Sequence, residues 1–285
     1  MGSFGIEQPK SGGRPLQIGH SASHAANIAA RGVLQSSEKS APTLDTANDL
    51  IRKMPAGILK KLEPHARNVT VTAGEFLYRP DELIEWLYFP ETAVISELQI
   101  LEDGRTIEVS ITGREGAIGV TSVYYPGRAA NWVQVCGSGT VLKIKCDVFR
   151  KETRGLDWIN MLIQGYIQMY IRQISQKVAC NAHHSVEERF CTWLLMLQDR
   201  CRRSRLKLTQ EHIARVLGVY RPSVTCIAQQ LRDSALIDYV RGNIVILDRE
   251  KLKERSCSCY ADLSAFGAAT TASNIYSRQN KQYVI

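Results

Sequence analysis

Residues 208–231, LTQEHIARVLGVYRPSVTCIAQQL, constrain the fold of this 285-residue chain more than any other segment. Thr209 is placed to cap a helix with His212 at its third position, and Ile213 and Leu217 fall on the inner face of that helix. Ala214 is small where a second helix must cross closely. Gly218 can adopt the left-handed conformation that ends a helix in a tight turn, and Val224 with Ile227 then locks the second helix against the first. Small residue, turn glycine and apolar lock at this spacing are the packing requirements of a helix-turn-helix, predicted here from Thr209 to Ser234. The competing reading is an ordinary helical hairpin beside a small sheet.

The second helix of such a motif points Arg221, Ser223, Thr225, Cys226 and Gln229 toward solvent or a groove, with Pro222 in the first turn, where its missing N–H costs little. Arginine can bond guanine edges bidentately, serine and threonine can hold phosphates or base edges, and glutamine can read adenine. Thr209 and Gln210 open the first helix. Downstream, LIDYV, the turn Arg241-Gly242-Asn243 and IVIL predict a short hairpin, a wing, that brings Arg241 and Asn243 to the same side. Charge is distributed to match. Residues 200–241 carry nine Lys/Arg (200, 202, 203, 205, 207, 215, 221, 232, 241) against three acids, whereas residues 44–150 carry twelve against fourteen. Within the overall charge of +8, the excess of cations lies where it can face phosphates.

The rest of the chain divides by pattern. Residues 1–43 are rich in Gly, Ser and Ala and are expected to be a disordered tail, as is the stretch 264–285. Residues 44–68 predict a helical lead-in, with Ile51, Met54, Ile58, Leu59 and Leu62 near helical spacing. Short β-branched and aromatic runs between Val69 and Ile144 predict an antiparallel β-domain, with Asp103-Gly104 a hairpin turn. From Asp147 to about Cys180 there is no proline, and Ile159, Ile163, Tyr166, Tyr170 and Val178 recur at helical spacing. That stripe suits either a helix packed within one chain or one that also faces a second copy. Asn181, Ala182 and the pair His183-His184 interrupt it at a plausible hinge, and Val186–Arg200 predicts a further amphipathic helix. These patterns place a β-domain over 44–150, a long helix and hinge over 151–183, and a winged helix-turn-helix over 184–263, an α+β architecture.

In this order of parts, and in its LTxxxIAxxLG…R…SVTxxxxxL pattern followed by a hydrophobic wing, the chain resembles the Crp/Fnr family of transcription regulators over about residues 45–262. The resemblance implies a jelly-roll-like β-roll similar to a cyclic-nucleotide-binding domain, a long dimerisation helix, and a homodimer placing two recognition helices in successive major grooves of double-stranded DNA. It also implies base contact by Arg221, phosphate contact by Ser223 and Thr209, and wing contacts near the backbone by Arg241 and Asn243. Pro222 stands where much of the family has an acidic base reader, so a different operator is expected. RNA polymerase is the expected protein partner.

Members that bind cyclic AMP hold the ribose with a Gly-Glu pair and the phosphate with an Arg about ten residues on. Aligned on Ile118-Gly119, this chain has Val120 at the Glu position and Ala130 at the Arg position, with Arg128 close by. Gly119, Val120, Arg128 and Ala130 are therefore the candidate effector contacts, for a small molecule of unknown identity and without the usual cyclic-nucleotide cassette. Oxygen-sensing members carry an iron-sulfur cluster on cysteines near the N-terminus, and the first cysteine here is Cys136. His65, His183 and His184 are the candidate ligands for a haem. Cys257-Ser258-Cys259 could bind metal or oxidise, but supplies two ligands, short of the four of a structural zinc site; the alternative is a buried end of the final helix. No cofactor and no metal site are expected. Neither a phosphate loop nor a nucleophile motif appears, so catalysis is not expected, and the lack of a secretory signal or apolar span points to the cytoplasm and away from the membrane.

Overall fold

The computed structural model describes residues 44–268; the segments read as tails lie outside them, except that residues 264–268 belong to the last helix. The lead-in contains a short helix, α1 (Ala56–Leu62), between two 3-10 turns. Buried Asn48 pins it to the β-domain: its Oδ1 accepts from the backbone of Leu50 and Ile51, and its Nδ2 donates to the carbonyls of Pro90 (2.8 Å) and Gly116 (2.9 Å). Seven strands then form two antiparallel sheets. They are β1 (Arg67–Val71), β2 (Phe76–Tyr78), β3 (Trp86–Pro90), β4 (Val94–Ile100), β5 (Thr106–Thr112), β6 (Trp132–Gly137) and β7 (Gly139–Lys145). The sheet orders are β1-β7-β3 and β2-β6-β4-β5, and both contribute to one core, Leu87, Phe89 and Ile144 from the first with Ile95, Val133 and Val135 from the second. Gly104, at φ +83°, makes the β4–β5 turn that its pairing with Asp103 predicts.

The helical stretch expected from Asp147 is broken. Helix α2 (Cys146–Thr153) ends where Gly155, at φ +73°, turns the chain, and the long helix α3 begins only at Asp157 and runs to His183. Ile159, Ile163 and Tyr166 of α3 are buried on the β-roll core, whereas Met161, Ile171 and Val178 are more than half exposed. The expected stripe therefore splits, with its beginning on one face and Val178 on another.

The C-terminal part comprises α4 (Val186–Cys201), β8 (Arg205–Lys207), α5 (Gln210–Leu217), α6 (Arg221–Asp233), β9 (Ile237–Val240), β10 (Asn243–Ile246), α7 (Arg249–Glu254) and α8 (Cys259–Ala268). A capping box starts α4: Ser185 Oγ accepts from the Glu188 N–H, and the Glu188 carboxylate accepts from the Ser185 N–H. Its core, built on Phe190, Trp193, Ile213, Val224 and Leu231, also takes in Val94, Ile111 and Cys136 from the β-roll. The winged domain is thus docked on the outer face of β4 and β5. A register slip shapes that face. Glu97 pairs with Ser110 whereas Leu98 pairs with Glu108, so the alternation of β5 is broken at Val109. Ile111 and Glu108, three residues apart, consequently both face the winged domain.

Glu108 is fully buried, and its carboxylate accepts from Ser96 Oγ of β4 (2.5 Å), Lys177 Nζ of α3 (2.7 Å) and Trp193 Nε1 of α4 (3.2 Å). A buried carboxylate persists only when paired and hydrogen-bonded, so these donors fix the relative positions of sheet, long helix and winged domain. A second ion pair joins α4 to the β-roll: Arg200 Nε lies 2.7 Å from Glu115, which removes Arg200 from the basic surface expected from the local excess of cations. His212 of α5 packs over Trp193, its ring centroid 6.0 Å away. Burial is the main cause that holds the His212 imidazole below its ordinary pKa, Glu108 opposing and Arg215 adding to the shift, and its Nε2 has no hydrogen-bond partner among the described residues.

Lys177→Met, which strands the Glu108 carboxylate, is predicted to lower stability by about 3–5 kcal/mol in thermal or urea unfolding. Adding Glu108→Gln to it should recover a large part of the loss, and an unaltered single variant would contradict the assignment. For His212, the folded pKa lies below the unfolded one, so the unfolded chain binds more protons in the window between them. Stability is therefore predicted to fall as pH drops below about 6.5. His212→Phe should flatten that fall, and an identical pH slope in the variant counts against it.

Candidate nucleic-acid interface

The helix-turn-helix forms as its spacing requires. Thr209 Oγ1 accepts from the His212 N–H at 3.1 Å and caps α5, and Gly218, at φ +67°, ψ +37°, ends it. Ala214 and Val224 are buried at the crossing of α5 and α6. A Cβ at Gly218 would also come within 3.1 Å of Ile107 on β5, so the glycine serves both the turn and the docking onto the β-roll.

Helix α6 buries Val224, Ala228 and Leu231 and exposes Arg221, Ser223, Thr225, Cys226 and Gln229. The first turn carries Pro222 at a position that needs no N–H donor, and Tyr220, before it, is 80% exposed. Two of the exposed residues are already engaged. Thr225 Oγ1 donates to Gln210 Oε1 (2.9 Å), which ties the start of α5 to α6, and Gln229 Nε2 donates to Asp233 (2.7 Å). The wing turns on Arg241 (φ +50°) and Gly242 (φ +75°), two consecutive left-handed residues of the kind that suits a two-residue hairpin. Asn243, read as part of the turn, opens β10 and donates from Nδ2 to the Arg241 carbonyl at 3.3 Å.

Wing and helix enclose an open cleft lined by Thr209, Gln210, Arg221, Tyr239, Arg241 and Gly242. Of the nine residues predicted at the interface, Thr209, Gln210, Arg221 and Arg241 line this cleft, Ser223, Thr225, Cys226 and Gln229 lie exposed on α6, and Asn243 follows the wing turn. Tyr239 escaped sequence reading. It stands in the cleft with its hydroxyl donating to the Leu208 carbonyl at 3.0 Å, and nothing but its place in a short apolar strand marked it. Strand β8, which pairs with β10, was missed because three residues are too few to show a period. It presents Arg205 and Lys207, with Arg202 and Arg203 just before, as an exposed basic edge.

In the β-roll, Gly119, Val120, Arg128 and Ala130 line one cavity of about 270 Å³, together with Glu97 and Tyr170. Gly119 sits at φ +83°, and a Cβ there would meet Ile84 at 2.8 Å, so the site needs glycine for conformation and for space. Arg128 donates from Nη1 to the Asp81 carbonyl at 2.5 Å. Glu97 accepts from Tyr170 Oη (2.7 Å) of α3 and from Asn131 (3.4 Å). Burial pushes its carboxyl above the ordinary range, opposed by those hydrogen bonds.

Residues 188–255 match the family profile of the Crp-like helix-turn-helix domain. The fold is similar to that of FixK2 from Bradyrhizobium japonicum, with a TM-score of 0.58 at 18% identity, over 68% of this chain and 98% of that one. A transcriptional regulator of the Crp/Fnr family from Eubacterium rectale gives 0.58 at 15% identity, over 72% and 96%. The global regulator CLP of Xanthomonas campestris gives 0.56 at 14%, over 68% and 100%. A sequence comparison with curated proteins gives no match. Residues 188–255 thus form a Crp-like helix-turn-helix domain, and the β-roll and long helix before it share their fold with solved regulators of the Crp/Fnr type.

Proposed function

We propose that the chain works as a homodimer that reads a two-fold-symmetric DNA site, one α6 in each of two major grooves about 34 Å apart. The observation that carries this reading is the shared surface of α6, the start of α5 and the wing, where Arg221 and Arg241 flank one cleft. Arg221 is the base reader. Ser223, Thr209, Gln210 and Arg241 hold phosphates, Asn243 supports the wing, and Thr225, Cys226 and Gln229 complete the face presented to base edges. Exposed Met161, Ile171 and Val178 on α3 favour a second copy along that helix.

The β-roll cavity is the place for a small-molecule effector other than a cyclic nucleotide held in the usual way. Val120 and Ala130 offer it no polar side chain, Arg128 is engaged by Asp81, and Glu97 places a carboxyl in the wall, which disfavours a phosphate. Among the described residues no helix is long and apolar enough to cross a membrane, which accords with work on DNA in the cytoplasm beside RNA polymerase.

In gel-shift titrations the observed affinity is predicted to fall with salt, with a log–log slope of about −0.9 per neutralised phosphate. Arg221→Ala should lose about 1–3 kcal/mol at one base position of each half-site and relax the preference there. Retention of the full sequence preference by that variant would rule Arg221 out as a base reader.

A further inference from the structure

Two pairs of side chains, more than seventy positions apart in sequence, converge where the long helix meets the end of the winged domain. Cys180 lies in the last turn of α3, His184 caps that helix, Cys257 lies between α7 and α8, and Cys259 begins α8. Their ligand atoms all lie within 4.8 Å of one another, with Cys180 Sγ 3.5 Å from Cys257 Sγ and Cys259 Sγ 3.5 Å from His184 Nδ1. The three thiols are buried and the histidine is half-buried. The Cys-x-Cys pair by itself supplies two ligands. The fold adds two more, one helical turn apart, so that Cys180 and His184 share a face.

We propose that Cys180, His184, Cys257 and Cys259 form a closed four-ligand site for one zinc ion, which staples the end of the long helix to the C-terminal helices of the winged domain.

Bonds of about 2.3 Å to sulfur and about 2.0–2.1 Å to nitrogen give a tetrahedron with edges of roughly 3.5–3.8 Å. The cluster is close to that size, and small side-chain rotations close it. A disulfide needs about 2.05 Å between sulfurs, well short of the present separation. Four protein ligands leave no open position, so the role is structural and not catalytic. Binding replaces three thiol protons by the metal, with His184 coordinating as the neutral imidazole through Nδ1. A supporting shell is in place. Gln176 Nε2 donates to Cys259 Sγ at 2.9 Å, and Thr192 Oγ1, which accepts from the Cys257 N–H, lies 3.0 Å from Cys257 Sγ and can donate to it as a thiolate. The ligands come from both sides of the junction between α3 and α4, so the metal holds the orientation of the winged domain relative to the long helix.

Metal analysis of the full chain, purified under reducing conditions without chelator, should find one zinc per protomer. After removal of the zinc, cobalt(II) titration should give the intense visible bands of a tetrahedral thiolate site, saturating at one equivalent. Cys259→Ser should lose stoichiometric zinc while Cys201→Ser, outside the cluster, keeps it, and Gln176→Ala should weaken metal affinity by about 10–100-fold. If Cys259→Ser does not fold, the cobalt spectrum of the unaltered chain decides. Absence of that spectrum, full zinc retention by a folded Cys259→Ser chain, or a Cys180–Cys257 disulfide in freshly isolated protein would overturn the proposal. None of these measurements involves DNA, so they fail or succeed independently of the operator-binding reading.

Discussion

One fully buried carboxylate, Glu108, holds the described part of this chain in a single arrangement. Its partners come from the β-roll, the long helix and the winged domain, and each supplies a donor that the buried charge cannot do without. The consequence runs along α3. Tyr170 reaches Glu97 at the cavity, Gln173 donates to the Ile111 carbonyl, Lys177 meets Glu108, and Cys180 enters the thiol and imidazole cluster. These positions recur every three or four residues, so one face of one helix connects the β-roll cavity, the ion pair between domains and the base of the winged domain. A change at Tyr170 therefore acts on the same helix that packs against the winged domain.

The local parts of this structure were legible in the sequence because local rules decide them. Thr209, Ala214, Gly218 and Val224 meet packing demands within sixteen residues, and Asp103-Gly104 and Arg241-Gly242 satisfy the backbone of tight turns. The β-roll was legible from its short β-branched runs. What escaped depends on pairing between distant segments. Nothing in TIEVSIT announces that the alternation breaks at Val109 and sends Glu108 toward Trp193, which lies 85 positions further on. Arg200 adds to the local count of cations, yet Glu115, 85 positions earlier, pairs with it and removes it from the basic surface. The long helix began later than expected because Gly155, absent from the apolar periodicity, turns the chain.

The candidate sites divide in the same way. Thr209, Gln210, Arg221 and Arg241 meet in one cleft because they lie on a helix, its partner and a hairpin whose relation the motif itself dictates. The candidate effector residues share a cavity, yet Glu97 and Tyr170, which set its character, come from another strand and from α3 and carry no local signature. Cys257 and Cys259 were visible as a pair, whereas Cys180 and His184 join them only once α8 packs against α3.

On the proposed reading, this surface meets DNA as one of two symmetric copies. Selection of bound duplexes from a random pool by the full chain tests it most directly. The recovered sites should be inverted repeats, with half-site centres about 10–10.5 base pairs apart and a preference distinct from that of relatives with an acidic residue at the Pro222 position. Recovery of sites without sequence preference, or of a single asymmetric half-site, would contradict it.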